Sequence, residues 1–147
     1  MRKLLIVCIG ILTVAIKGYS QQAFTIYNTI NSPLPENSVR AIAIAPNGTK
    51  WIGTDYGLAS FDDVSWNVYK TTNSGIPDNS IRSLAVDASN NVFVAGTFSN
   101  TVDFDPGVGT TTLGAIADDA FVLKLDNAGN YLNVIKIGDV GTDVIRS

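Results

Sequence analysis

FTIYNTINSPLPENSVRAIAI, Phe24 to Ile44, returns later in the chain as WNVYKTTNSGIPDNSIRSLAV, Trp66 to Val86. The offset is 42 residues (66 − 24) and needs no gap. Tyr27 answers Tyr69, Asn31-Ser32 answer Asn73-Ser74, and Pro35 answers Pro77. Asn37-Ser38 answer Asn79-Ser80, and Arg40 answers Arg82. The changes keep shape: Leu34 for Ile76, Glu36 for Asp78, Val39 for Ile81. The register runs on until Trp51-Ile52 meet Phe93-Val94. A repeat of this kind is one supersecondary unit that buries its apolar faces only against its neighbours.

The units are built from strands. Phe121, Leu123 and Leu125 alternate with Val122, Lys124 and Asp126, the period-two pattern of a half-buried strand. Asp126 to Asn130 (DNAGN) supplies a hairpin turn, because Gly and Asn tolerate positive φ. Tyr131 to Ile137 reads as the return strand, and Pro46 to Gly48 and Ala88 to Asn91 read as earlier turns. No amphipathic helix follows Gln21. Short strands on a period of about 42 residues predict four-stranded β-propeller blades, with a β-sandwich as the alternative architecture. The fold class expected is all-β, a β-propeller segment of about two and a half blades. The blade-like units fall at about 24–65 and 66–138, with the start of another at 139–147.

Residues 24 to about 76 resemble the two-component-regulator propeller repeat. The resemblance rests on Leu34-Pro35, Asn37, Val39, Asn47-Gly48, Trp51-Ile52-Gly53-Thr54 and Gly57-Leu58. From about 77 to 147 the chain is similar to the SBBP-type β-propeller repeat of exported bacterial proteins. The features carrying that likeness are Asp87 with Asn91, a Val94-Ala95-Gly96-Thr97 strand, the Asp103-Phe104-Asp105-Pro106-Gly107 loop, and Phe121-Val122 with Lys124-Leu125-Asp126. The first likeness implies binding of an oligosaccharide or peptide, as in a periplasmic sensor domain. The second implies a secreted or surface-attached scaffold. Ile145-Arg146-Ser147 repeats the pattern of Val39-Arg40-Ala41 and Ile81-Arg82-Ser83, so the chain reads as a piece of a longer ring. A ring of several copies and an incomplete stack are the alternatives.

The N-terminus reads as a signal peptide over residues 1–20. Arg2 and Lys3 precede an apolar run from Leu4 to Ile16, and Gly18 and Ser20 are the small residues before a cut between Ser20 and Gln21. The run is shorter than the roughly 20 residues that span a bilayer. Cys8 sits inside it, too early for a lipidation site. Removing the leader takes basic residues from 10 to 7 against 13 acidic ones, a net charge of 7 − 13 = −6. That balance, without a basic cluster, argues against a nucleic-acid partner. The expected location is extracellular, cell-surface or periplasmic, with no membrane span after signal removal.

The absences exclude chemistry. The chain has no histidine, and its single cysteine lies in the leader. Ser–His–Asp and Cys–His catalysis and His/Cys zinc sites are therefore excluded within this chain. Asp103 and Asp105 stand two apart and are weak calcium candidates, with Asp118 and Asp119 as further oxygen donors. The same pair leaves open a carboxylate-based glycan hydrolase or lyase. The favoured reading is a loop whose Asp residues bond local backbone amides. Trp51, Trp66, Tyr69 and Phe93 read as packing aromatics, with stacking on sugar rings as the alternative. Arg40 and Arg82 read as structural, each pairing with an acid or carbonyl of the next unit. No catalytic residue and no cofactor is assigned. The expected function is a non-enzymatic secreted or surface scaffold that recognises a glycan, peptide or protein.

Overall fold

The computed structural model describes residues 24–105, 109–115 and 117–138. The expected signal peptide with its cleavage site, residues 106–108 of the aspartate loop, and the strand start expected at 139–147 lie outside the described residues.

The described residues are all-β. The first sheet holds β1 (Val39–Ile44), β2 (Lys50–Thr54), β3 (Gly57–Phe61) and β4 (Trp66–Tyr69), each antiparallel to the next. The second begins with β5 (Ser83–Val86) and β6 (Val92–Phe98). A separate hairpin of β7 (Thr101–Asp103) and β8 (Thr112–Gly114) then intervenes. The sheet resumes with β9 (Asp119–Leu125), paired to β6, and β10 (Tyr131–Ile137), paired to β9. Both four-stranded sheets are therefore meanders, the second with a hairpin inserted at its centre. Trp66–Tyr69 closes the first sheet rather than opening the second, so the sequence repeat is out of phase with the sheets by one strand. A repeat can be cut anywhere along the chain, whereas the hydrogen-bond ladder fixes where a sheet ends.

Turn chemistry sets the hairpins. Gly48 N–H bonds Ala45 O (2.8 Å), Asn90 N–H bonds Asp87 O (3.0 Å) and Gly129 N–H bonds Asp126 O (3.1 Å). Two of these turns share an aspartate cap. Asp126 Oδ1 accepts from the Ala128 and Asn130 amides, and Oδ2 accepts from Asn130 Nδ2, each at 2.8 Å. Asp87 does the same with Ser89 N, Asn91 N and Asn91 Nδ2. This is the local side-chain capping that makes Asp and Asn turn formers.

The sheets pack face to face, with β1 and β2 against β5. On the first sheet's buried face, Ala43, Trp51, Ser60 and Asn67 form one cross-strand row. Ala41, Gly53, Leu58 and Tyr69 form the next. Trp51 is fully buried and stacks on Tyr69, with centroids 5.5 Å apart. On the second sheet the facing rows are Leu84, Val94, Leu123, Val134 and Val86, Val92, Leu125, Tyr131. Ile76 and Ile81 are buried in the same cluster. Each large apolar side chain removed from water here contributes about 1.5–3 kcal/mol. Gly53 permits the close approach: a Cβ there would lie 2.6 Å from Ile81 Cγ2. Ile81 N–H also donates to Thr54 O at 2.9 Å, tying the strand entering the second sheet to the first.

The first sheet's other face is partly covered by residues 24–37. Leu34 packs with Ile52 and Ala59, and Tyr27 sets its edge against Phe61 and Trp66. The second sheet's other face carries the rows Ala85, Phe93, Lys124, Asn133 and Ser83, Ala95, Val122, Ile135. That face has no covering layer in the described residues; Ile135 is 57% exposed and Ile137 52%.

The inserted hairpin covers one end of the second sheet. Phe98, Phe104 and Phe121 form a T-shaped trio, with centroids 5.2 to 6.3 Å apart. Asp119 is fully buried, and Lys136 Nζ stands 2.6 Å from its Oδ2 and donates to Gly114 O at 2.9 Å. The Asp119 carboxylate makes no directed hydrogen bond among the described residues, so Coulomb attraction to Lys136 is what holds it.

Candidate functional site: two arginines on one aspartate

The strand alternation at the start of β1 is broken. Val39 pairs with Thr54 and Ala41 with Gly53, which leaves Arg40 as the extra residue of a β-bulge. A bulge re-aims the side chain it carries. Here it turns Arg40 towards the β2–β3 hairpin, whose tip is Asp55 and Tyr56. Thr54 builds that tip: its Oγ1 accepts from Tyr56 N–H (3.1 Å) and donates to Gly57 O (2.8 Å).

Arg40 Nε and Nη2 both donate to Asp55 Oδ2, at 2.8 and 2.5 Å. Ser80 Oγ donates to Asp55 Oδ1 at 3.2 Å. Arg82 Nη1 lies 3.9 Å from the same oxygen, within reach of its charge and beyond hydrogen-bond length. Arg40 on β1 and Ser80 in the segment leading into β5 therefore both hold Asp55, and the repeat-equivalent arginines converge on one carboxylate. Hydrogen bonding from Arg40 holds the Asp55 carboxyl below the usual range, and the same bond holds the Arg40 guanidinium above its own.

Among the described residues the other ion pairs are one to one. Lys50 meets Asp63, Lys124 meets Asp87 and Lys136 meets Asp119. At the seam two guanidinium groups share one carboxylate, which leaves one positive charge unbalanced. Both arginine side chains are accessible, 47% and 44% exposed. Tyr56 beside them is 60% exposed. A guanidinium fork of this kind matches the geometry of a planar anion; Asp55, tied to Arg40, is a poor proton carrier.

Both arginines reach an acid, but not one of the next unit as the sequence reading expects: Asp55 lies at the β2–β3 turn, in Arg40's own sheet and in the sheet that precedes Arg82. Asp55 was not legible as their partner: it lies 15 residues from Arg40, and nothing local marks the pairing. Asp103 and Asp105 take the loop role. Asp103 Oδ1 accepts from Asp105 N–H (3.0 Å) and Thr111 N–H (2.9 Å), and Phe104 N–H bonds Thr111 O. Asp118 is exposed, while the neighbouring Asp119 turns inward to Lys136. Among the described residues no three His, Cys, Asp or Glu gather to hold a metal ion. Trp66 stacks on Phe61 at 4.5 Å, and Phe93 lies under the Lys124 ammonium at 5.1 Å. Trp51 and Tyr69 pair in the interior, so three of the four aromatics pack, while Phe93 lies on the uncovered face of the second sheet. No family model, curated protein or solved structure matches the chain.

Proposed function

We propose that the chain is a segment of a β-propeller and serves as a non-enzymatic recognition scaffold outside the cytoplasm. One observation carries the reading: the repeat persists in three dimensions. The outward row Ala85, Phe93, Lys124, Asn133 of the second sheet corresponds strand by strand to the inward row Ala43, Trp51, Ser60, Asn67 of the first. Likewise Ser83, Ala95, Val122, Ile135 correspond to Ala41, Gly53, Leu58, Tyr69. The face left open on the second sheet is of the kind the first sheet uses to bury the second. Head-to-tail contacts of this sort propagate from unit to unit and end only in a closed ring or an open stack.

The segment Phe24 to Tyr27 supports the same reading. It aligns with β4, and Tyr27 packs beside the first sheet as a fourth strand of a preceding unit would. The apolar leader supports export. A recognition scaffold is favoured over a hydrolase because Asp103 is folded onto its own loop amides. The test is a glycan and peptide array probed with the chain, with the bound ligands then assayed for cleavage. Saturable binding without turnover is expected. Cleavage that disappears in Asp103→Asn would replace the scaffold with a hydrolase.

A further inference from the structure

We infer that the Arg40–Arg82 seam is a docking site for an acidic segment of a protein partner, with Arg82 as the residue that takes the incoming carboxylate. The inference rests on the recognition reading above and names the partner chemistry of the same seam.

Charge is the first argument. Arg40 spends two donors on Asp55, whereas Arg82 stands 3.9 Å from that carboxylate with no closer acceptor among the described residues. Its fork is thus a charged, accessible group matched to the two oxygens of a carboxylate. The rest of the chain is acidic overall, and its other ion pairs are internally balanced. A local surplus of one positive charge in that setting selects an anion and selects where it lands.

Shape is the second. Small-molecule sites are concave. Asp55 and Tyr56 form the tip of a tight hairpin, and Tyr56 is 60% exposed, so this surface is convex. A convex tip that carries a tyrosine and is flanked by two arginines has the residue types that anchor protein interfaces. A partner strand or loop reaches it without a pocket.

Asp55 gives the proposal a distinctive consequence. It competes with the incoming carboxylate for the same two guanidinium groups, so neutralising it strengthens binding. The experiment titrates the mature chain, residues 21–147, with a fluorescent poly-glutamate peptide at low ionic strength. A poly-glutamine peptide of equal length and an oligogalacturonate serve as the other arms. Saturable binding of poly-glutamate alone is expected, weakened by added salt. Arg82→Ala weakens it by about tenfold or more, and Arg82→Lys restores only part, because an ammonium lacks the fork. Asp55→Asn tightens it. Circular dichroism and melting of each variant confirm the fold, and Arg82→Ala, at an exposed position, keeps it.

Equal binding by Arg82→Ala, or no binding of poly-glutamate, overturns the site. Arginine-dependent binding of the oligogalacturonate without the peptide overturns the protein partner. Array binding that is indifferent to Arg82→Ala sinks the seam and leaves the scaffold reading intact. An array with no ligand at all sinks the scaffold itself.

Discussion

Replacing Lys136 by Met would leave the Asp119 carboxylate fully buried without its counter-charge. Breaking a buried pair from one side costs about 3–5 kcal/mol. We expect Lys136→Met to lower the denaturant-derived stability by that amount, and Lys136→Met with Asp119→Ala to recover much of it. Equal losses in the single and double variants would show that the charge pairing is not what matters. Gly129 is a second sensitive residue. Its φ is +86°, and a Cβ there would run into the Tyr69 ring. Gly129→Ala therefore meets both backbone strain and a collision between the sheets, and should cost about 1–3 kcal/mol. Tyr69→Phe removes only the hydroxyl that donates to Ala128 O at 3.0 Å, a loss near 1 kcal/mol. Neither effect was legible in the sequence. DNAGN announces a turn, but the tyrosine it rests on is far away in the chain.

At the scale of the element, the hairpins decide the response to acid. The Asp87 carboxyl is held below its usual range by the Asn91 side-chain amide and the Asn91 and Ser89 backbone amides. Burial pulls Asp126 upward, but the Asn130 side chain and the amides of Asn130, Ala128 and Gly129 outweigh it. Ser65 and Val64 amides lower Asp62 in the β3–β4 turn, and Arg40 lowers Asp55. All four are depressed in the folded state. Their stabilisation is therefore present above the unfolded aspartate value of about 3.9 and is lost as the pH falls through the lower folded values. Denaturant midpoints should be level from neutral pH to about pH 5 and fall steeply below about pH 4. Asp126→Asn should make that acid limb shallower; an unchanged slope would remove Asp126 from the account. The turns themselves were readable, since Asp, Asn and Gly act on their own backbone. So was the alternation of Phe121, Leu123 and Leu125, all buried as expected, although β9 starts earlier, where Asp119 pairs with Phe98. The inserted β7–β8 hairpin carries only short strands, too brief for a period to register.

For the whole molecule, the open face of the second sheet is the feature that governs behaviour in solution. Exposed Ile135 continues the row Ala95–Val122, and Ile137 pairs with Ala120 on the same face. An exposed apolar strip of this kind drives association. Sedimentation of residues 21–147 should show self-association that grows with concentration, and Ile135→Asp should suppress it. Concentration-independent monomers would mean that this face needs no neighbour, and the stacking argument would fall with it.

The sequence by itself determined the all-β character, the turns, the repeat and the chemistry that the lack of His and of a second Cys forbids. Each follows from composition or from interactions within a few residues. Tertiary structure alone decided which sheet face meets which, that Trp66–Tyr69 belongs to the first sheet, that two arginines share Asp55, and that Asp119 is buried against Lys136. Period-two alternation assigns side chains to two faces but does not say what each face touches. Polar contacts between residues 15 or more apart depend on strand pairing and, for Ser80 and Arg82 with Asp55, on how the second unit meets the first sheet, which no local pattern encodes.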